Sequence, residues 1–136
     1  MIQKETKLIC SDNSGVNYVK CVRLFGGLKK IALLGESILI VIKNYKHRKK
    51  FKHIIKKKAQ HLNKKNKTLA LIVGTRKKKR RQDGGFFSFD RNRVLLVSKQ
   101  YTLLSTRIYG FVPKELALKQ FKNKYKVILE KAKAIL

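Results

Sequence analysis

Residues 37–43, Ser-Ile-Leu-Ile-Val-Ile-Lys, carry the clearest indication of the fold. The apolar run Ile38–Ile42 has the length of a buried strand, and both of its alternating faces are apolar. The Gly35-Glu36 pair in front of the run is typical of a turn. This stretch therefore predicts a strand in a sheet that is closed or well covered.

Further strands are indicated on both sides of this stretch. Asp12-Asn13-Ser14-Gly15 predicts a tight turn, because Asp, Asn and Ser side chains cap backbone amides and Gly tolerates positive φ. Six short strands followed by a terminal helix favour a small antiparallel barrel over a parallel α/β sheet, in which helices would alternate with strands. The predicted strands are Lys7–Cys10, Tyr18–Phe25, Ser37–Lys43, Thr68–Thr75, Phe86–Phe89 and Arg93–Val97.

A cationic hairpin is predicted at residues 76–89, which we call the cationic arm. The chain leaves the strand Thr68–Thr75 through the basic run Arg76–Gln82 and turns at Asp83-Gly84-Gly85. It then returns through Phe86–Phe89, so the basic run lies at the tip or along one side of the hairpin.

The remaining two segments differ from the strands in composition. From Pro113 the chain predicts helix, because proline suits the first turn and Glu115 lies near the positive end of the helix dipole. Asn123 is predicted to divide this helix into two. We therefore expect a β-barrel domain at residues 1–112, with a basic insertion at 44–67, and a helical extension at 113–136.

Charge defines the class of partner. The 136 residues contain 35 Lys and Arg and seven acids, which gives a formal charge of +28. Of those 35 cations, 18 lie between Glu36 and Asp83, a segment that contains no carboxylate. A polyanion is needed to balance such a charge, and nucleic acid fits better than a membrane, since no apolar run reaches the roughly 18–20 residues of a bilayer span. Lysine dominates the basic segments, which favours phosphate contacts on structured RNA over base reading in DNA.

The residue types that carry catalysis are dispersed. A metal-dependent nuclease built on Asp12, Asp83 and Asp90 is the enzyme alternative, but aspartate before Gly or Asn is usually a turn former. Cys10 and Cys21 lie in apolar segments and are predicted to be core residues, not zinc ligands. His47, His53 and His61 are interpreted as part of a solvated basic face. We expect no enzymatic activity, no cofactor and no bound metal.

A single-strand binder is the second alternative, because such proteins stack bases on exposed aromatic side chains along a groove. The candidates are Phe86, Phe87, Phe89 and Tyr101, although core packing is favoured for the three phenylalanines.

Specific strings throughout the chain follow the pattern of a known protein family. They begin with Met1-Ile2-Gln3 and cover nearly the whole chain in order, with no single motif that carries the match alone. The matching positions also include Thr6, Leu8, Asp12-Asn13-Ser14-Gly15, Cys21-Val22, Gly26-Gly27, Gly35-Glu36, Ile72-Val73, Thr75, Arg80-Arg81, Asp83-Gly84, Phe89-Asp90, Asn92, Thr106-Arg107-Ile108, Gly110, Val112 and Glu115-Leu116. By these positions the chain resembles the L-fourteen family of large-subunit ribosomal proteins.

The resemblance implies a small five-stranded antiparallel β-barrel with a β-ribbon and short C-terminal helices. It also implies binding to large-subunit rRNA beside neighbouring ribosomal proteins, with no homo-oligomer, and an intersubunit bridge to small-subunit rRNA. Thr106, Arg107 and Lys114 are expected on the intersubunit face, with an ordinary loop cation as the alternative for Arg107. The expected rRNA-binding residues are Asn13, Ser14, Lys29, Lys30, Lys46, Arg48, Lys49, Lys50, Arg76, Lys77, Lys78, Lys79, Arg80 and Arg81.

Departures from the family pattern bear on which ribosome contains the protein and which genome encodes it. Gly74 stands where arginine is usual, Arg91 and Ser105 replace glycines, and the segment 44–67 is longer and more basic than in bacterial members. Lys, Ile, Asn, Phe and Tyr are abundant, and all five are read from A/T-rich codons. Together with a family-typical start that has no presequence, these features favour a mitochondrial ribosome and a gene in the mitochondrial genome. A plastid or the cytoplasm of an A/T-rich bacterium is the alternative.

Overall fold

The computed structural model describes residues 1–45, 67–118 and 122–136, so residues 46–66 of the predicted insertion lie outside the described part. Five strands close into a barrel in the order β1-β2-β3-β4-β7. Their bounds are β1 Lys7–Cys10, β2 Val16–Leu24, β3 Ser37–Tyr45, β4 Lys67–Gly74 and β7 Arg93–Val97. The predicted five-stranded barrel is confirmed.

Strand pairing in the barrel is antiparallel except where the sheet closes. β1 pairs with β2, β2 with β3, β3 with β4 and β4 with β7 in antiparallel register. The closing pair is parallel, with Ile9 opposite Arg93 and Cys10 opposite Val94. This closure brings the first strand of the chain beside the strand that follows the cationic arm.

The barrel interior is filled by alternate residues of each strand, as the period of two requires. Ile38, Ile40 and Ile42 of β3 are at most 1% exposed, whereas Leu39 and Val41 on the outer face are only half-buried. Cys10 and Cys21 are buried in the same core, as predicted.

A second core covers the outer face of β4 and β7. Residues 70–73 and 94–97 are all buried, since one set of side chains points into the barrel and the other packs beneath the C-terminal segment. The strands covered on both faces are therefore β4 and β7. This second core consists of Leu71, Val73, Leu95, Val97, Ile108, Val112, Leu116 and Ile128.

The cationic arm forms the predicted hairpin. Its two short strands, β5 Lys79–Arg80 and β6 Phe86–Phe87, are antiparallel, with Lys79 opposite Phe87. Arg81 N–H donates to the Gly85 carbonyl at 2.7 Å, and Gly84 occupies the left-handed region with φ 84°. The turn thus lies at Asp83-Gly84-Gly85, and glycine suits it because glycine adopts positive φ without a steric clash.

The C-terminal segment returns to the barrel side. It comprises β8 Phe111–Val112, α1 Glu115–Leu118, α2 Lys122–Lys131 and β9 Ala134–Ile135, and β8 and β9 pair in parallel. Two helices are present among the described residues, but Asn123 lies inside the first turn of α2 and therefore does not divide them as predicted. Residues 119–121 lie outside the described part. Among the described helices, none is long and apolar enough to cross a membrane.

Candidate nucleic-acid interface

The cationic arm presents most of its basic side chains to solvent. Arg76, Lys78 and Arg80 are exposed, and none of them forms an ion pair with a described residue. Arg76 N–H donates to Asn92 Oδ1 at 3.0 Å, which fixes the start of the arm to the residue in front of β7. Lys77 is also exposed, with its Nζ 3.3 Å from Met1 Sδ, and Lys79 is half-buried. Arg76, Lys78 and Arg80 are therefore exposed cations of the arm that have no ion-pair partner among the described residues.

Arg81 belongs to the interior of the arm. Its Nε donates to Glu115 Oε1 at 2.6 Å, and its Nη2 donates to the Leu136 carbonyl at 3.0 Å. The guanidinium also lies 4.6 Å from the centroid of the Phe87 ring. Of the adjacent arginines, Arg80 faces solvent while Arg81 binds the C-terminal segment to the arm.

The loop after β2 holds two of the predicted rRNA-binding lysines. Lys29 Nζ lies 2.5 Å from Glu36 Oε1, and the other oxygen of that carboxylate accepts from Leu33 N–H at 3.0 Å. Lys30 is exposed, and no ion pair to another described residue holds it. Of these two lysines, Lys30 is the one whose charge has no ion-pair partner among the described residues.

The turn after β1 organises the molecule internally. Ser14 is 4% exposed, its N–H donates to Asp12 Oδ1 at 2.9 Å, and its hydroxyl is hydrogen-bonded to the same oxygen. Asn13 is half-buried, and its amide Nδ2 donates to Thr106 Oγ1 at 2.8 Å. Asn13 Oδ1 accepts from the N–H groups of Thr106 and Arg107 at 3.1 and 3.2 Å. In this structure both predicted RNA ligands are engaged in contacts within the protein.

The residues predicted for the intersubunit face are exposed. The side chains of Thr106, Arg107 and Lys114 all reach solvent. Asn13 fixes the backbone of the first two, and Lys114 N–H donates to the Leu136 carbonyl at 3.0 Å. The loop that presents Arg107 is thus tied to the barrel while its guanidinium is left outward.

The three aspartates of the nuclease alternative have separate structural roles. Asp12 is 4% exposed, and its Oδ2 accepts from Leu96 N–H at 3.1 Å. Asp83 Oδ1 caps Gly85 N–H at 3.0 Å, and Asp90 Oδ1 accepts from Arg93 Nη2 at 2.6 Å. Arg93 also lowers the pKa of the Asp90 carboxyl, chiefly through that hydrogen bond. Across the ranges the structure covers, no three acidic, His or Cys side chains are grouped as metal ligands would be.

The aromatic residues of the arm divide between core and surface. Phe87 and Phe89 are buried and meet edge to face, with ring centroids 6.1 Å apart, which confirms their predicted core packing. Phe86 is 66% exposed, so core packing is wrong for this residue. It points away because Phe87, its neighbour on the two-residue strand β6, takes the inward position.

Four predicted rRNA-binding residues, Lys46, Arg48, Lys49 and Lys50, lie outside the described residues, as do the three histidines. The structure instead shows a basic groove that the sequence patterns did not single out. It lies against the outer side of β1 and β2, where Lys7 and Tyr18 are exposed, and its edge includes Arg91. The sequence carried one signal for this groove. Leu8 and Cys10 are apolar residues that point inward, so the residues next to them in β1 face outward.

A family model described as ribosomal protein L14p/L23e matches residues 1–136, the full length given.

Proposed function

Because the chain belongs to the ribosomal protein L14p/L23e family, it has a structural role in the large ribosomal subunit, and we propose that it holds large-subunit rRNA through phosphate contacts. The proposal extends to a bridge between the subunits. A structural role of this kind needs shape and charge complementarity and no reacting group, which agrees with the dispersed acids.

The exposed cations of the arm carry this proposal. Arg76, Lys78 and Arg80 project from a short hairpin and have no ion-pair partner within the described ranges. A cation that is already solvated and unpaired can meet a phosphate without first breaking an internal salt bridge, so little of its interaction energy is lost. Each phosphate neutralised also releases counterions from the RNA, which strengthens binding at low salt.

Other predicted ligands support the interface in different ways. Lys30 adds a charge that no described residue pairs, and Lys29 can contribute only in competition with Glu36. Lys77 and Lys79 contribute to the positive potential of the arm. Asn13, Ser14 and Arg81 act through the protein, since they fix the loop and the arm on which the contacting side chains stand. The basic insertion, with Lys46, Arg48, Lys49 and Lys50, is proposed as a further rRNA contact.

Thr106, Arg107 and Lys114 are proposed to form the face that meets small-subunit rRNA. Their exposure and the three hydrogen bonds from the Asn13 side chain to the 106–107 loop support this assignment. A loop held in place loses less conformational entropy when a partner binds, so the same cation contributes more to affinity.

The ribosome that contains the protein is proposed to be mitochondrial. Support comes from the abundance of residues read from A/T-rich codons and from the strongly basic segment 44–67. Mass spectrometry of ribosomes purified from isolated mitochondria should recover the protein in the large subunit. Its recovery in plastid or cytoplasmic ribosomes alone would reject this location and leave the rRNA-binding proposal intact.

Co-sedimentation tests the rRNA-binding proposal. The wild-type protein should sediment with large subunits and stay bound at moderate salt. The triple variant Arg76→Gln, Lys78→Gln and Arg80→Gln should bind more weakly, and the slope of log affinity against log salt should fall in magnitude by about 2–3. A triple variant at exposed Lys99, Lys131 and Lys133, also changed to Gln, has the same net charge and serves as the control. Equal losses in the two triple variants would show that net charge, and not the arm, determines binding.

Subunit association tests the bridge. Arg107→Glu should leave the protein in the large subunit but reduce the fraction of joined ribosomes on sucrose gradients. Arg23→Glu, at an exposed position of β2, makes the same charge change elsewhere on the barrel. If both variants support subunit joining equally well, the bridge assignment is wrong.

A further inference from the structure

A groove of about 280 Å³ lies on the outer surface of the barrel beside β1 and β2. Its floor includes Ile9 and Tyr18, which stand opposite each other in the β1–β2 register. Leu8, between Lys7 and Ile9, is 1% exposed and belongs to the barrel core. The strand alternation therefore directs Lys7 and Ile9 outward, and Ile9 and Tyr18 form the base of the groove.

An aromatic face is available in this base. Tyr18 is 43% exposed, although it lies in the middle of a strand where its neighbour Val19 is fully buried. The structure gives its ring no aromatic partner among the described residues. A tyrosine on a sheet surface with an open ring face is the arrangement on which proteins stack single nucleic-acid bases.

Three cations surround the aromatic floor. Lys7, Arg76 and Arg91 are exposed and line the groove, and none of them forms an ion pair with the described residues. Among the described lining residues the carboxylate is Asp90, whose Oδ1 lies 2.6 Å from Arg93 Nη2, which offsets its charge. The groove thus combines an apolar floor with a net positive rim.

Asn92 defines the position of one of these cations. Its Oδ1 accepts Arg76 N–H at 3.0 Å, so the first residue of the arm is fixed at the edge of the groove. The Asn92 amide nitrogen makes no hydrogen bond within the described chain and retains its donors. A donor at this place can contact a base edge or a phosphate oxygen.

We infer that this groove, on the premise that the protein binds rRNA, receives one unpaired nucleotide of the RNA, with the base stacked on Tyr18 and the phosphate between Arg76 and Arg91. The volume is below the roughly 300–1,000 Å³ of common ligand pockets, so it suits one base and not a stack of several. A base inside a duplex has both faces covered by its neighbours and cannot stack on a side chain. The occupant is therefore a flipped-out or loop nucleotide.

A fluorescent base tests this inference directly. The probe is an RNA trinucleotide with 2-aminopurine at its centre, whose emission is quenched when the base stacks. Titration with the full chain should quench the probe, and Tyr18→Ala should weaken binding by about 5- to 150-fold, the range expected for loss of one base–aromatic stack. Tyr18→Phe should keep the affinity within about threefold, since the ring face remains. Tyr109→Ala removes another exposed tyrosine and should leave the titration unchanged.

The phosphate contact has its own readout. Arg91→Gln should retain quenching at saturation while the salt slope of trinucleotide binding falls in magnitude by about 1. A Tyr18→Ala protein that is folded by circular dichroism and quenches the probe as wild type does would overturn the inference. So would a hexaglutamate peptide that competes as effectively as an unlabelled trinucleotide. Either result is separable from failure of the rRNA-binding function, in which the wild-type protein would not sediment with large subunits.

Discussion

Asn13 and Arg107, 94 positions apart, are joined by two hydrogen bonds of opposite direction. Asn13 Oδ1 accepts Arg107 N–H at 3.2 Å, and Asn13 N–H donates to the Arg107 carbonyl at 3.3 Å. The backbone of Arg107 is therefore clamped to the turn after β1 while its side chain remains exposed. In this arrangement Asn13 positions the residue proposed to meet the small subunit.

Replacement of Asn13 by Ala should loosen this loop. The N–H groups of Thr106 and Arg107 lose their acceptor, and the expected loss in free energy of unfolding is about 1–3 kcal/mol. Subunit joining should fall as well, although Arg107 itself is unchanged. Urea denaturation and sucrose gradients measure the two effects. Asn17→Ala provides a matched control, because no side-chain hydrogen bond from Asn17 is present in the described structure, and an equal loss there would contradict the positioning role.

The buried Asp12 should be among the most sensitive polar residues of the barrel. Asp12→Ala leaves the N–H groups of Ser14 and Leu96 without acceptors inside the core, which should cost about 2–4 kcal/mol. Asp12→Asn keeps one oxygen acceptor and should lose roughly half as much, as read from urea denaturation midpoints. Asp83→Ala removes only the acceptor of Gly85 N–H in an exposed turn, where water can replace it, and should lose no more than about 1 kcal/mol. A stable Asp12→Ala protein would rule out this role.

The sequence was sufficient for the barrel, because its signals are local. The continuous apolar run in β3 and the glycine turn of the arm each act over a few residues, and both were predicted within a residue or two. The different roles of Arg80 and Arg81 could not be predicted from the sequence. Arg81 contacts Glu115 and Leu136, which are distant in the chain and come close to it only in the folded protein. The same holds for Asn13, whose partners lie 93 and 94 positions away.

Gly74 is another residue whose environment could not be predicted from its neighbours in the sequence. The family pattern usually has an arginine where this chain has Gly74, and the structure shows that a side chain would be tightly packed at this position. A Cβ at Gly74 would lie 3.1 Å from the Phe89 ring and 3.2 Å from Arg93 Cβ. Phe89 and Arg93 belong to other segments, so their approach depends on the β4–β7 register and not on the residues beside Gly74.

The two thiols should be inert in the folded protein. Burial raises the pKa of both, and that of Cys10 lies well above its ordinary value. Little thiolate forms, so reaction with DTNB should be slow in native buffer and fast in concentrated guanidinium. Single Cys10→Ala and Cys21→Ala variants assign the two rates. Rapid labelling of the native chain at either position would contradict its place in the core.

The raised thiol pKa values also give stability a pH dependence. Because folding favours the neutral thiols, their contribution is fully present below about pH 8.5, the pKa of a free thiol, and declines as the pH rises through the folded-state values. Urea midpoints should fall in this alkaline range for the wild type. The Cys10→Ala variant should lose less on the same change of pH, and an identical decline would exclude Cys10 as the cause.

Adjacent arginines of the arm should separate stability from RNA binding. Arg81→Ala removes the partner of Glu115, whose second carboxylate oxygen is buried and unpaired, and also removes the contact with Phe87. The free energy of unfolding should drop by about 2–4 kcal/mol, since an uncompensated carboxylate remains in a half-buried site.

Arg80→Ala should change stability by less than about 0.5 kcal/mol but reduce the magnitude of the salt slope of rRNA binding by about 1. Thermal denaturation and filter binding on both proteins give the comparison. An equal loss of stability in Arg80→Ala and Arg81→Ala would contradict this prediction. It would mean that the contacts of Arg81 with Glu115 and Leu136 do not hold the C-terminal segment to the arm.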